Sequence, residues 1–111
     1  MSETLSPPVW VHTIQSLKQM VEDLAAQPRV AVDTESNSLH AFREQVCLLQ
    51  FSSIKEDYLV DPLALRDLSL LAPIFANPQI EKVFHAAEYD LICLRRDFGF
   101  TFANLFDTMQ A

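Results

Sequence analysis

Two rhythms of apolar and polar residues divide the chain: alternation in short runs, and recurrence at steps of three and four. Val9-Trp10-Val11-His12 is a short apolar run that reads as a strand. Thr13 follows as a helix N-cap, since its hydroxyl accepts from first-turn amides. Ile14, Leu17, Val21 and Leu24 then mark one apolar helical face, with Lys18, Glu22 and Asp23 off it. Pro28 ends this helix by about Gln27.

Residues 29–35 are apolar until they end abruptly in acids, the pattern of a buried strand with a polar C-terminal end. Residues 36–44 read as a loop, 45–52 as a second strand, and 58–60 as a third strand stopped by Asp61-Pro62. The short links between these three favour an antiparallel meander. Residues 63–75 show helical spacing at Leu68, Leu71 and Phe75, and Asn77-Pro78 stops them. Residues 81–85 read as a fourth strand and 86–97 as a helix with Leu91, Leu94 and Phe98 at apolar spacing. Arg95 and Arg96 suit its C-terminal dipole, and Gly99 follows as a C′ residue. Residues 107–111 read as the first turn of another helix capped by Asp107, so the chain is expected to stop within an element. The whole is an α/β pattern on one domain, residues 9–111, behind a leader of residues 1–8.

Charge narrows the function classes. Eight basic residues against 15 acidic ones leave a net charge of −7, which argues against a clamp that grips nucleic acid by neutralising phosphates. A site in which carboxylates hold divalent cations is unaffected, because the ions then face the phosphate. The single glycine, Gly99, excludes a Walker loop and a GxGxxG fingerprint. Cys47 and Cys93 are too few for a disulfide framework or a four-cysteine zinc site, and read as reduced buried thiols of a cytoplasmic protein. No apolar run has the length of a membrane span, so no membrane partner is expected.

Two segments carry chemistry. Asp33 and Glu35 lie two apart at a strand end, so their carboxylates project from one face, where a hard cation such as Mg²⁺ or Mn²⁺ offsets their repulsion. In His85-Ala-Ala-Glu-Tyr-Asp90 a strand runs into a helix and Asp90 falls near the first turn. Strand ends gathered at one edge of a sheet are where α/β sites assemble, so three carboxylates are expected to converge there.

These segments resemble a family. Val30-Ala-Val-Asp-Thr-Glu35 resembles the first motif of the DEDD superfamily of 3′–5′ exonucleases, and Val83-Phe-His-Ala-Ala-Glu-Tyr-Asp90 its second motif in the ribonuclease D form. Glu44-Gln-Val-Cys-Leu-Leu-Gln50 and Leu59-Val-Asp-Pro62 are similar to its second and third strands, and Leu105-Phe-Asp-Thr108 to the segment opening its next helix. The resemblance implies a ribonuclease H-like core, three antiparallel strands followed by αβα units and incomplete at the C-terminus. It implies hydrolysis of phosphodiesters by two metal ions, Mg²⁺ or Mn²⁺, at the 3′ end of a nucleic acid, RNA rather than DNA. Asp33, Glu35 and Asp90 become metal ligands, with Glu35 also near the terminal 3′-hydroxyl. Thr34, Leu39, Phe42, His85 and Tyr89 are placed against substrate, Leu39 as an apolar wedge beside the terminal base and Phe42 as the alternative stacking residue.

The family's third motif, with its tyrosine or histidine and a fourth acid, has no counterpart in these residues. That motivates a competing reading: a non-catalytic module that pairs with a complementing chain or with itself. A phosphatase of the haloacid dehalogenase kind also begins with a strand ending in Asp. It requires a second aspartate two residues on, where this chain has Glu35.

Overall fold

Strands and helices alternate along the chain in the computed structural model. It describes residues 7–37, 45–85 and 87–108, with backbone alone for Ser36, Asn37, Gln45, Cys47, Ala87 and Tyr89. Strand β1 (Val9–Val11) leads into helix α1 (Ile14–Ala25). Thr13 caps α1 as its position predicts. Its Oγ1 accepts the Ser16 amide at 3.1 Å, and its own amide donates to Ser16 Oγ at 3.2 Å, so two otherwise orphaned donors are satisfied. The buried stripe is Leu17, Met20 and Leu24, whereas Ile14 is 51% exposed. At 100° per residue the stripe centres among those three, which leaves Ile14 on its flank.

Strands β2 (Arg29–Asn37), β3 (Gln45–Ser52) and β4 (Asp57–Val60) form the expected antiparallel meander. β2 outruns its expected end. A bulge sets Leu48 opposite Glu35 but Val46 opposite Ser36, and the ladder continues to Asn37.

The expected helix over residues 63–75 is broken into pieces: a turn, a 3-10 turn (Ser69–Leu71) and a short helix α2 (Ala72–Ala76). The Asp61 carboxylate takes the amide of Leu63 at 2.9 Å, and Asp67 takes that of Ser69 at 3.0 Å. Asp61 satisfies a first-turn amide, whereas Asp67 takes one that a continuous helical ladder would use. Leu65, Leu68, Leu71, Ile74 and Phe75 are nonetheless buried, so the apolar spacing reported burial rather than helix.

Strand β5 (Glu81–Phe84) and helix α3 (Ala87–Phe98) follow. Gly99, at φ 72°, closes α3 by donating its amide to the Arg95 carbonyl at 2.9 Å. The helix start expected at Asp107 is corrected: Leu105–Asp107 is strand β6, parallel to β5, with Asp107 opposite Phe84. The ladder extends past it, since the Thr108 amide donates to the Phe84 carbonyl at 2.9 Å. Residues 109–111, the rest of that expected turn, lie outside the described residues.

The strands form one sheet in the order β1-β4-β3-β2-β5-β6. The connections β1 to β2, β4 to β5 and β5 to β6 join strands of like direction and advance across the sheet the same way. Right-handed crossovers therefore set α1, α2 and α3 on one face. Val30 and Val32 of β2 are buried beneath them, while Ala31, Asp33 and Glu35 on the other row are exposed. Phe75 anchors the covered side, its ring 4.8 Å from Phe100 and 5.1 Å from Phe102. Cys93 is a buried free thiol there, as expected; the Cys47 side chain is outside the described set. Among the described residues Lys82 is the one fully buried charged side chain, and its Nζ donates to the Asn77 carbonyl at 2.7 Å. No described helix is long and apolar enough to cross a membrane.

Candidate active site

β2, β5 and β6 run parallel, so their C-terminal ends share one rim of the sheet. β2 delivers its two acids there on one face. Asp33 and Glu35 share the exposed row, as their spacing predicts, and Thr34 between them continues the row of Val30 and Val32 toward the helices. Asp33 Oδ1 accepts the Thr34 amide at 2.9 Å.

The first turn of α3 brings in Asp90, half-buried, whose Oδ1 accepts the Thr34 hydroxyl at 2.6 Å. Burial pushes the Asp90 carboxyl above its ordinary range. The Thr34 hydrogen bond works against that, and the charges of Asp33 and Asp107 add to it. Asp33 and Asp90, from separate motifs, are thus close enough to act on each other electrostatically.

Asp107, the last residue of β6, joins this rim near enough for its charge to act on Asp90, a place that the helix-cap reading did not give it. A signal was present. Leu105-Phe106-Asp107 repeats in short form the pattern of apolar residues ending in an acid that marks β2. β6 also brings Thr108 beside β5, where its Oγ1 lies 2.7 Å from Nδ1 of the exposed His85. Tyr89 sits on the first turn of α3, but its side chain is outside the described set, as are Leu39 and Phe42 altogether.

The donors at this rim are carboxylate oxygens, which suit hard divalent cations over softer ones. The repulsion that Asp33 and Asp107 each exert on Asp90 is the kind of charge such a cation offsets. Among the described residues no three His, Cys, Asp or Glu side chains already stand as a metal-holding group. A groove of about 380 Å³ lies at the N-terminal end of β2, lined by Arg29, Glu81, Val83 and Phe106.

Comparison with known proteins adds to this geometry. Residues 8–111 match the family model described as 3′–5′ exonuclease. The chain is 46% identical over 107 residues to the exosome complex exonuclease RRP6 of Saccharomyces cerevisiae, covering 96% of this chain and 15% of that protein. Among solved structures, the catalytic core of RRP6 from Trypanosoma brucei superposes with a TM-score of 0.90 at 38% identity, covering 97% of this chain and 30% of that one. Escherichia coli RNase D, an exoribonuclease involved in structured RNA processing, superposes with a TM-score of 0.85 at 31% identity, covering 93% of this chain and 28% of that one. The chain therefore spans well under a third of the length of the yeast relative. The likeness to both structures bears out the ribonuclease H-like core.

Proposed function

This chain belongs to the 3′–5′ exonuclease family, and from that premise we propose that it carries the carboxylates of a site that hydrolyses the terminal phosphodiester at the 3′ end of RNA. The observation that carries the reading is that Thr34 and Asp90, 56 residues apart and one from each motif, are hydrogen-bonded at the rim where Asp33 stands. The similarity to Escherichia coli RNase D, an exoribonuclease, supports the choice of RNA.

Asp33, Glu35 and Asp90 would hold Mg²⁺ or Mn²⁺. Such ions, when bound, lower the pKa of water and offset charge on the attacking and leaving oxygens. The protein's own part is to gather several carboxylates around a site that an anionic polymer must enter. Glu35, exposed beyond Asp33 on the same row, is assigned to the terminal 3′-hydroxyl. His85 is steadied at the rim by Thr108 and is assigned to line the substrate. The motif resemblance assigns Leu39 to the terminal base, with Phe42 as the alternative stacking residue, and Tyr89 to the lining of the site.

The test is shortening of a 5′-labelled RNA from its 3′ end with Mn²⁺. Wild-type chain is expected to release nucleoside monophosphates one at a time. Asp33→Asn and Asp90→Asn are each expected to lose about 10³-fold, corresponding to about 4 kcal/mol of transition-state stabilisation. No shortening by the wild type, or equal shortening by both variants, overturns the reading.

A further inference from the structure

β2 uses both of its faces at the rim. Asp33 and Glu35 project from the exposed row, and Thr34 projects from the row of Val30 and Val32 toward α3. Thr34 thereby contacts a carboxylate on either side: its amide donates to Asp33 Oδ1 at 2.9 Å, and its hydroxyl donates to Asp90 Oδ1 at 2.6 Å. We propose that Thr34 is a positioning residue, whose hydroxyl fixes the Asp90 carboxylate relative to Asp33 so that both address one divalent cation. This assignment rests on the metal-dependent reading above. It sets Thr34 behind the carboxylates rather than against the substrate, where the motif resemblance places it.

The chemistry of the contact supports a positioning role. A hydroxyl donating to a carboxylate at this separation is a charge-assisted hydrogen bond, stronger and more directional than a neutral one. Threonine is branched at Cβ, so few χ1 rotamers are open to it and its backbone largely sets where the hydroxyl points. An aspartate in the first turn of a helix is also drawn to the free amides of its own helix. The bond to Thr34 ties Asp90 to β2. Partners of this kind orient metal-binding side chains, and their loss typically weakens metal binding 10–100-fold.

Mn²⁺ titration followed by water-proton relaxation, with no substrate present, tests the assignment. Thr34→Val, which removes the hydroxyl and keeps the shape, is expected to weaken Mn²⁺ binding about 10-fold. Thr34→Ser, which restores the hydroxyl, is expected to bind within about twofold of wild type. Thr34→Ala is the second variant should the buried methyl of valine disturb folding, and the same weakening is expected. Wild-type affinity in Thr34→Ala or in a folded Thr34→Val overturns the assignment, even if the melting temperature falls, because the hydroxyl then serves only to tie α3 to β2. A wild-type chain that binds no Mn²⁺ overturns the metal-dependent reading itself, an outcome distinct from wild-type binding that ignores Thr34.

Discussion

The Tyr58 hydroxyl of β4 donates to Asp23 Oδ2 of α1 at 2.5 Å, tying the first helix to the third strand of the meander. Gln27 donates to the other oxygen of the same carboxylate at 3.0 Å, and the Lys55 ammonium lies 3.8 Å from it. Asp23 is therefore a small hub over the edge of the core. Tyr58→Phe is expected to lower stability by about 2 kcal/mol, as for a hydrogen bond to a charged acceptor. Urea unfolding at pH 7 measures it, and a variant as stable as wild type contradicts it.

Burial raises the Tyr58 pKa above its ordinary 10.0, and the Asp23 hydrogen bond and charge raise it further. The folded state therefore holds the phenolic proton more tightly than the unfolded chain does. That stabilisation is complete below about pH 10 and is lost as pH rises beyond it. Wild type is expected to lose stability above pH 10 more steeply than Tyr58→Phe, and parallel melting curves for the two proteins would refute this.

Lys82 has the opposite sign. Burial lowers its pKa from 10.5, so folding disfavours the charged ammonium. The resulting penalty is largest at low pH and fades as pH rises through the folded pKa toward 10.5. Lys82→Met removes this slope while keeping an unbranched apolar chain beside Phe84. The Asn77 carbonyl then loses one donor but keeps the Ile80 amide at 3.2 Å, so the net change at pH 7 is expected to be small, within about 1.5 kcal/mol. Comparing the pH dependence of unfolding in Lys82→Met and in Tyr58→Phe separates the two groups.

Asn104 precedes β6 at φ 58°, the left-handed region. Its carbonyl accepts the Lys82 amide at 2.9 Å and its side chain donates to the Pro78 carbonyl at 3.0 Å. Both Asn104→Gly and Asn104→Ala delete the side-chain bond, but alanine alone meets the steric cost of the left-handed conformation. Asn104→Ala is therefore expected to be less stable than Asn104→Gly by about 1 kcal/mol. Denaturant midpoints of the two variants decide it, with equal midpoints against the prediction.

At the other end of the molecule, Thr13→Ala removes the hydroxyl that accepts the Ser16 amide. The expected cost is about 1 kcal/mol, read from the urea midpoint, with Thr13→Ser close to wild type.

Much of this architecture was legible in residue order because it is local or periodic. The Thr13 cap, the stop at Pro28, the meander of β2 to β4 and the end of α3 at Gly99 each depend on neighbours within a few positions. Three readings failed where distant or side-chain partners intervened, besides the loop expected from Ser36, where β3 carries the ladder on to Asn37. Ile14 lies on the flank of a stripe that Met20 completes. Asp67 diverts the Ser69 amide, which a helix over residues 63–75 needs. β6 is three residues long, too short to announce itself, and exists because β5 offers it an edge.

What the order of residues determined by itself was the direction of side chains: alternation set Asp33 and Glu35 on one row of β2, although the strand runs on past them to Asn37. What only the folded chain decided was which of those groups meet. Parallel pairing of β6 with β5 carried Asp107 to the rim, and the α3 crossover brought Asp90 to Thr34. The reason is physical. Periodicity constrains the direction of a side chain relative to its own backbone, whereas the encounter of two side chains depends on how separate elements pack, which no local pattern encodes.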